Sequence, residues 1–255
     1  MPTPLVLVPP SEGKAIGGRR SAGRDNFATT LRTPRNEVRT ALAAELHSRR
    51  GTALERLLGA RGELLAHALK ADLELCEGRP LVLPAHERFT GVVWEHLAPS
   101  TLAVDHLERL LVPNALYGLS RGTDPIAEFR LSMSVSLGGL GVVASFWRPH
   151  VTDRLATLGR DRLIVDLLPG EHAASIDFDR LANEVEVMRV RFVTAEGAKA
   201  AGHGAKAVKG VFARRLLERG TDRISSFRWE GWKARKVGSD VEVLAPPPPA
   251  SGARR

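Results

Sequence analysis

The chain of 255 residues contains one cysteine, Cys76, so it can form no intramolecular disulfide and offers no Cys-rich zinc site. That scarcity fits a reducing cytoplasm, the compartment expected for this protein. Aromatic residues make up only 5%, and Tyr117 is the single tyrosine. No stretch approaches the roughly 20 uninterrupted apolar residues of a membrane helix. Met1–Pro10 lacks a positively charged start and a small-residue cleavage pattern, so no signal peptide is expected. The eight histidines form no HExxH or His-x-His pattern, and no nucleophile elbow is identified. Metal and acyl-transfer chemistry therefore have little support. No metal, no cofactor, no membrane contact and no obligate protein partner is expected.

With 43% hydrophobic residues, the chain can bury a core without such staples. Its net charge of +8 is unevenly spread. Residues 1–50 carry nine Lys/Arg against four Asp/Glu, and residues 196–255 carry thirteen against six, so the middle is acidic. Two basic ends can converge on one positive surface, suited to a polyanion or a phosphorylated small molecule.

Leu5–Val8 is an all-apolar run stopped by Pro9-Pro10, which predicts a buried first strand. Helical spacing covers 37–47 and 53–73, the second interrupted by a glycine hairpin within Leu58–Leu65. Further helices are expected over 102–110, 146–158 and 205–218, and strands over 110–112, 128–133, 162–168 and 184–193. There is no internal repeat and no regular βαβ alternation. The expected fold class is therefore α+β, one domain over residues 1–244, with a disordered Pro-rich tail over 245–255.

Four segments carry candidate chemistry. Pro9–Lys14 leaves the first strand with Ser11, Gly13 and Lys14, a hydroxyl, backbone amides and an ammonium for a phosphate, without P-loop spacing. The turn-rich stretch from Asn114 to Met133 holds Tyr117, Arg121, Asp124 and Arg130. Its guanidinium forks suit phosphate or carboxylate, and an Arg–Asp ion pair pinning the loop is the competing reading. Asp166–His172 ends the second apolar strand, and Glu171 or His172 there could serve as a general base. Lys206 and Lys209 share one face near a helix N-terminus, where cations oppose the helix dipole unless an anion sits between them.

In order and spacing these segments resemble the YaaA family. Leu7–Lys14 resembles its P-P-S-E-G-K opening, and Phe89–Trp94 its Gly-centred aromatic segment. The stretch Leu116-Tyr117-Gly118-Leu119, Asp124, Phe129–Met133 resembles its central core, followed by Phe146-Trp147. Val165–His172 and Ala205–Gly210 match its later motifs, so the resemblance covers residues 4 to 237. It implies a shell of mixed sheet and helices around a basic cleft, and a role in peroxide resistance through iron control and DNA protection. It also implies a helix-hairpin-helix element, with Leu58–Leu65 as its counterpart.

Departures fall beside the ionic residues. The family's R-P-L-D is Arg121-Gly122-Thr123-Asp124, its P-Y-R is Glu128-Phe129-Arg130, and its S-x-E-Y is Pro169–His172. Two functions follow as expectations. One is a stress protein binding duplex DNA or another phosphate-bearing ligand through Ser11, Lys14, Arg121, Arg130, Lys206 and Lys209. The other is an enzyme acting on a nucleotide, nucleoside or related phosphorylated metabolite, with Tyr117, Asp124 or Glu171 moving protons.

Overall fold

A computed structural model describes residues 3–21 and 23–247. The chain begins with β1 (Leu5–Leu7), then α1 (Arg32–Ser48), α2 (Gly51–Leu58), α3 (Gly62–Cys76), β2 (Val82–Pro84), α4 (Ala85–Arg88), α5 (Val92–Leu97) and α6 (Val104–Arg109). The middle holds β3 (Leu110–Asn114), β4 (Gly118–Arg121), β5 (Pro125–Ala127), β6 (Ser136–Leu137), β7 (Gly141–Val142), α7 (Val143–Leu158) and β8 (Ile164–Asp166). It closes with α8 (Gly170–Ala173), α9 (Phe178–Glu184), β9 (Val187–Val193), α10 (Gly202–Arg219), β10 (Arg228–Trp229), β11 (Trp232–Val237) and β12 (Asp240–Leu244).

Eight strands form one mixed sheet in the order β10-β11-β12-β9-β8-β1-β3-β4. The five central strands run parallel, with Leu7 opposite both Leu111 of β3 and Asp166 of β8. β4, β10 and β11 attach antiparallel. The run Leu5–Val8 is apolar throughout because β1 lies mid-sheet and is fully buried, as parallel strands covered on both faces are. β9, by contrast, alternates: Met188, Val190 and Phe192 point inward while Arg189 and Arg191 are exposed. The coarse expectation of a single mixed α/β domain holds, with ten α-helices among the described residues.

Two glycines set the packing that frames the cleft. A Cβ on Gly210 would stand 2.2 Å from the Val93 carbonyl oxygen, so only glycine lets α10 lie this close to α5. Gly118 has φ 70°, and a Cβ there would meet the Trp147 ring at 2.4 Å.

The structure corrects some expectations. Residues 128–133 form no strand. Their polar groups turn to helices instead, with Arg130 N donating to Asp72 Oδ1 and the Arg130 guanidinium donating to the carbonyls of Leu58 and Gly59. The hairpin β11–β12 was not anticipated. Of the expected disordered tail, residues 248–255 lie outside the described residues, while Ala245 N still donates to Val193 O.

Candidate functional site

The C-terminal ends of β1, β3, β8 and β9 open into a cleft of about 1170 Å³, the place where parallel sheets gather ligands. Its first wall is the loop after β1. The Pro9 carbonyl is held by Trp94 Nε1 at 3.2 Å, and Ser11 Oγ accepts from Thr90 N while donating to Gly13 O. Arg88, completely buried at the end of α4, gathers the carbonyls of Ala15, Gly17, Leu81 and Ile126. This clamp fixes the backbone immediately beyond Lys14. Asn114 and Ala115 at the end of β3 line the cleft as well. There the Ala115 carbonyl accepts from Trp147 Nε1 at 2.7 Å.

Of the residues singled out in the sequence, Ser11, Lys14, Arg130, Glu171, Lys206 and Lys209 line this one cavity. Tyr117, Arg121 and Asp124 do not, and each has a structural partner. Tyr117 Oη accepts from Ala127 N at 3.0 Å, and burial raises its pKa. Asp124 accepts from Asn26 N, Asn26 Nδ2 and Arg121 N, in place of an ion pair with the Arg121 guanidinium. That guanidinium turns to Glu108. Contrary to the expectation of no nucleophile-elbow pattern, Gly118-Leu119-Ser120-Arg121-Gly122 does carry G-x-S-x-G spacing. Ser120 is nonetheless buried inside the β3–β4 pair, accepting from Asn114 Nδ2, and no strand-to-helix elbow presents it.

Two lysine–aspartate pairs dominate the electrostatics. Burial pushes Lys14 down to about 8 against the pull of Asp72. It pushes Asp72 up to about 7, opposed by the Arg130 amide and by Lys14. Burial likewise holds Lys209 at about 8 and raises Asp166, at the end of β8, to about 6. His172 feels both lysines. Burial first, then the charges of Lys209 and Lys14, hold it near 4, so the imidazole is neutral at physiological pH. Its Nε2 lies 3.2 Å from Glu171 Oε1, while its Nδ1 is buried without a partner.

Asp72 and Arg88 were missed as site-building residues, and Asp166 stood in a candidate segment without a role of its own. Asp72 had a signal: with Ala68 and Leu75 it makes the buried stripe of α3, a carboxyl placed on an apolar face. Arg56, Arg191 and Lys199 also line the cleft, and nothing in their local sequence marked them out.

The fold and this cleft define a mixed α/β protein with its candidate site at the ends of parallel strands. The family comparison is more specific. Residues 5–237 match the model of the peroxide stress protein YaaA, and the chain belongs to that family. It is 34% identical to a UPF0246 protein of Streptomyces coelicolor, covering 95% of this chain and 93% of that one. UPF0246 proteins of Corynebacterium efficiens and Corynebacterium glutamicum are 33% and 31% identical, each over 83% of this chain and 84% of theirs. Among the described residues no helix is long and apolar enough to cross a membrane.

Proposed function

We propose that this protein binds a phosphate-bearing ligand, DNA or a nucleotide-like molecule, in the cleft, and that it thereby limits iron-dependent oxidative damage during peroxide stress. The observation that carries this reading is the convergence of Lys14, Arg130, Lys206 and Lys209, from three separate chain segments, on one cavity. Arg56, Arg191 and Lys199 add to them, against the carboxylates of Glu12 and Glu171, an excess of cations that supports the reading of a basic cleft. Membership of a peroxide-stress family supplies the physiological setting.

The turn between α2 and α3 is the natural contact for a nucleic-acid backbone. It lies beside the cleft-lining residues Arg56–Gly59, and the first amides of α3 have no acceptor within the helix. This pair of helices would serve as the helix-hairpin-helix element.

The test is fluorescence anisotropy with duplex DNA across a salt series. Phosphate contacts predict affinity that falls steeply with salt, and Lys206→Ala should lower the log–log slope by about one. Weak affinity that stays flat between low and physiological salt would overturn the DNA reading. Thermal shift with nucleotides addresses the small-molecule form. A second reading, an enzyme in the same cleft, is favoured by the two depressed lysines, amines poised to gain or lose protons near neutrality.

A further inference from the structure

We propose that Lys14 is an amine nucleophile that condenses with the carbonyl group of a phosphorylated aldehyde or ketone held in the cleft, with Asp72 as the positioning residue behind it. The inference rests on the cleft being a phosphate-binding site and adds a covalent step to that reading.

Lys14 is held by one backbone carbonyl and two aromatic rings. Its Nζ donates to the Ser11 carbonyl at 3.1 Å and lies 4.3 Å from the centroid of Phe129 and 5.7 Å from that of Phe89. Among the described residues no carboxylate comes within 4.0 Å of it, whereas Arg130 and Arg191 in the same cleft each have an acidic neighbour inside that limit. Lys206 is exposed. Lys14 is thus set in an aromatic niche that opens to the cavity, with one carbonyl bond and room for another partner. The Phe129 face favours the ammonium, but burial opposes it more strongly. With a pKa of about 8, roughly a quarter of the side chain is free amine at pH 7.5, against about 0.1% for an ordinary lysine.

Asp72 gives Lys14 a charge partner that is itself incompletely bound. Its Oδ1 accepts from Arg130 N at 3.0 Å, while Oδ2 is buried with no partner. A buried carboxyl oxygen left without a donor is costly, so an unexplained one calls for a functional account. Here Asp72 and Lys14 shift each other's titration, so the carboxyl charge controls how much amine is present. Lys209 has a similar pKa, but the aspartate beside it is engaged: Asp166 Oδ1 accepts from Leu168 N and Oδ2 lies 3.9 Å from Arg189.

The step balances without any co-reactant. The Lys14 nitrogen lone pair forms a bond to the carbonyl carbon, giving a carbinolamine. The C–O bond then breaks, and the oxygen leaves as water with both hydrogens of the amine, leaving a C=N bond. Cations such as Arg130 and Lys206 hold the phosphate while the carbonyl reaches Lys14. The phosphorylated carbonyl can come from a free sugar phosphate or from an abasic deoxyribose within DNA, and the chemistry at Lys14 is the same.

The experiment incubates the full chain with glyceraldehyde 3-phosphate, with unphosphorylated glyceraldehyde, or with an abasic oligonucleotide, then adds cyanoborohydride and maps the adduct by peptide mass spectrometry. The expected result is saturable labelling at Lys14 by at least one phosphorylated probe, roughly tenfold above glyceraldehyde, the worth of one charge-assisted phosphate contact. Labelling should rise with pH through a midpoint of about 8. Lys14→Arg should abolish it, and Asp72→Asn should move the midpoint to lower pH because a raising charge is lost. Should Asp72→Asn fail to fold, the wild-type pH profile and Lys14→Arg decide the matter alone. Labelling spread over exposed lysines, concentrated on Lys209, or unchanged in Lys14→Arg overturns the inference. Salt-dependent binding of the phosphorylated probes without any adduct overturns it while leaving the phosphate-binding reading intact. No binding of any phosphorylated probe sinks both.

Discussion

Arg88 offers the most demanding test of how the cleft is built. Its side chain is fully buried, and its guanidinium donates to four backbone carbonyls on three segments: Ala15 and Gly17 after β1, Leu81 before β2, and Ile126 in β5. Arg88→Met keeps most of the volume and removes every donor. Each buried acceptor left bare costs about 1–3 kcal/mol. Water can reach three of the four, since Ala15, Gly17 and Leu81 are not fully buried. Counting Ile126 in full and the other three at about a third each gives a loss of about 2–6 kcal/mol. A neutral side chain in the same place recovers part of the desolvation cost of a buried charge, which favours the lower half of that range. The expected loss is therefore about 3 kcal/mol, read by urea unfolding with an unchanged m-value. Arg88→Lys should do little better, because a compact ammonium cannot reproduce a planar fork aimed at several carbonyls. The loop bearing Lys14 should loosen too, so the thermal shift given by nucleotides should shrink in both variants. A loss under about 1 kcal/mol for Arg88→Met would refute the reasoning, since it would mean the carbonyls find other donors at no cost.

Two further outcomes follow from single residues. Gly118→Ala forces a Cβ into the Trp147 ring at a backbone φ of 70°, and should cost about 2–4 kcal/mol by the same unfolding assay. Asp72→Asn bears on pH. The native carboxyl titrates at about 7 against 3.8 for the unfolded chain, so the folded state holds a proton that the unfolded state has released between those values. Wild-type stability should therefore carry a contribution that falls as pH rises from about 4 to about 7, and Asp72→Asn should flatten that slope. Lys14 works in the opposite sense at higher pH, adding stability as pH rises from about 8 to 10.5. A variant retaining the wild-type slope below pH 7 would exclude Asp72 as its source.

Several residues that line the cavity are legible in the sequence because they sit in short local motifs. Ser11 and Lys14 follow an unmistakable buried strand, and Lys206 and Lys209 stand on one helix face. Such signals need only local spacing, and the structure brings these residues to one cavity. The same reading placed Tyr117, Arg121 and Asp124 beside them for an understandable reason: polar side chains in a turn look alike whether they await a ligand or tie down a loop. The distinction depends on partners far away in sequence, such as Asn26 for Asp124 and Ala127 N for the Tyr117 hydroxyl. Asp72 shows the converse. It sits within an amphipathic helix, 58 residues from the amide it binds, and its importance arises only because the chain brings Lys14 to the same buried spot. The central motif thus divides by function. Gly118 and Tyr117 seat Trp147 and β5 and so shape the wall, while Phe129 and Arg130 reach the cavity. Drift around Arg121 and Asp124 consequently changes how the wall is braced, whereas substitution at Phe129 alters the ring against which Lys14 lies. If the ligand of this protein differs from that of its relatives, the Phe129 niche is where that difference should register first.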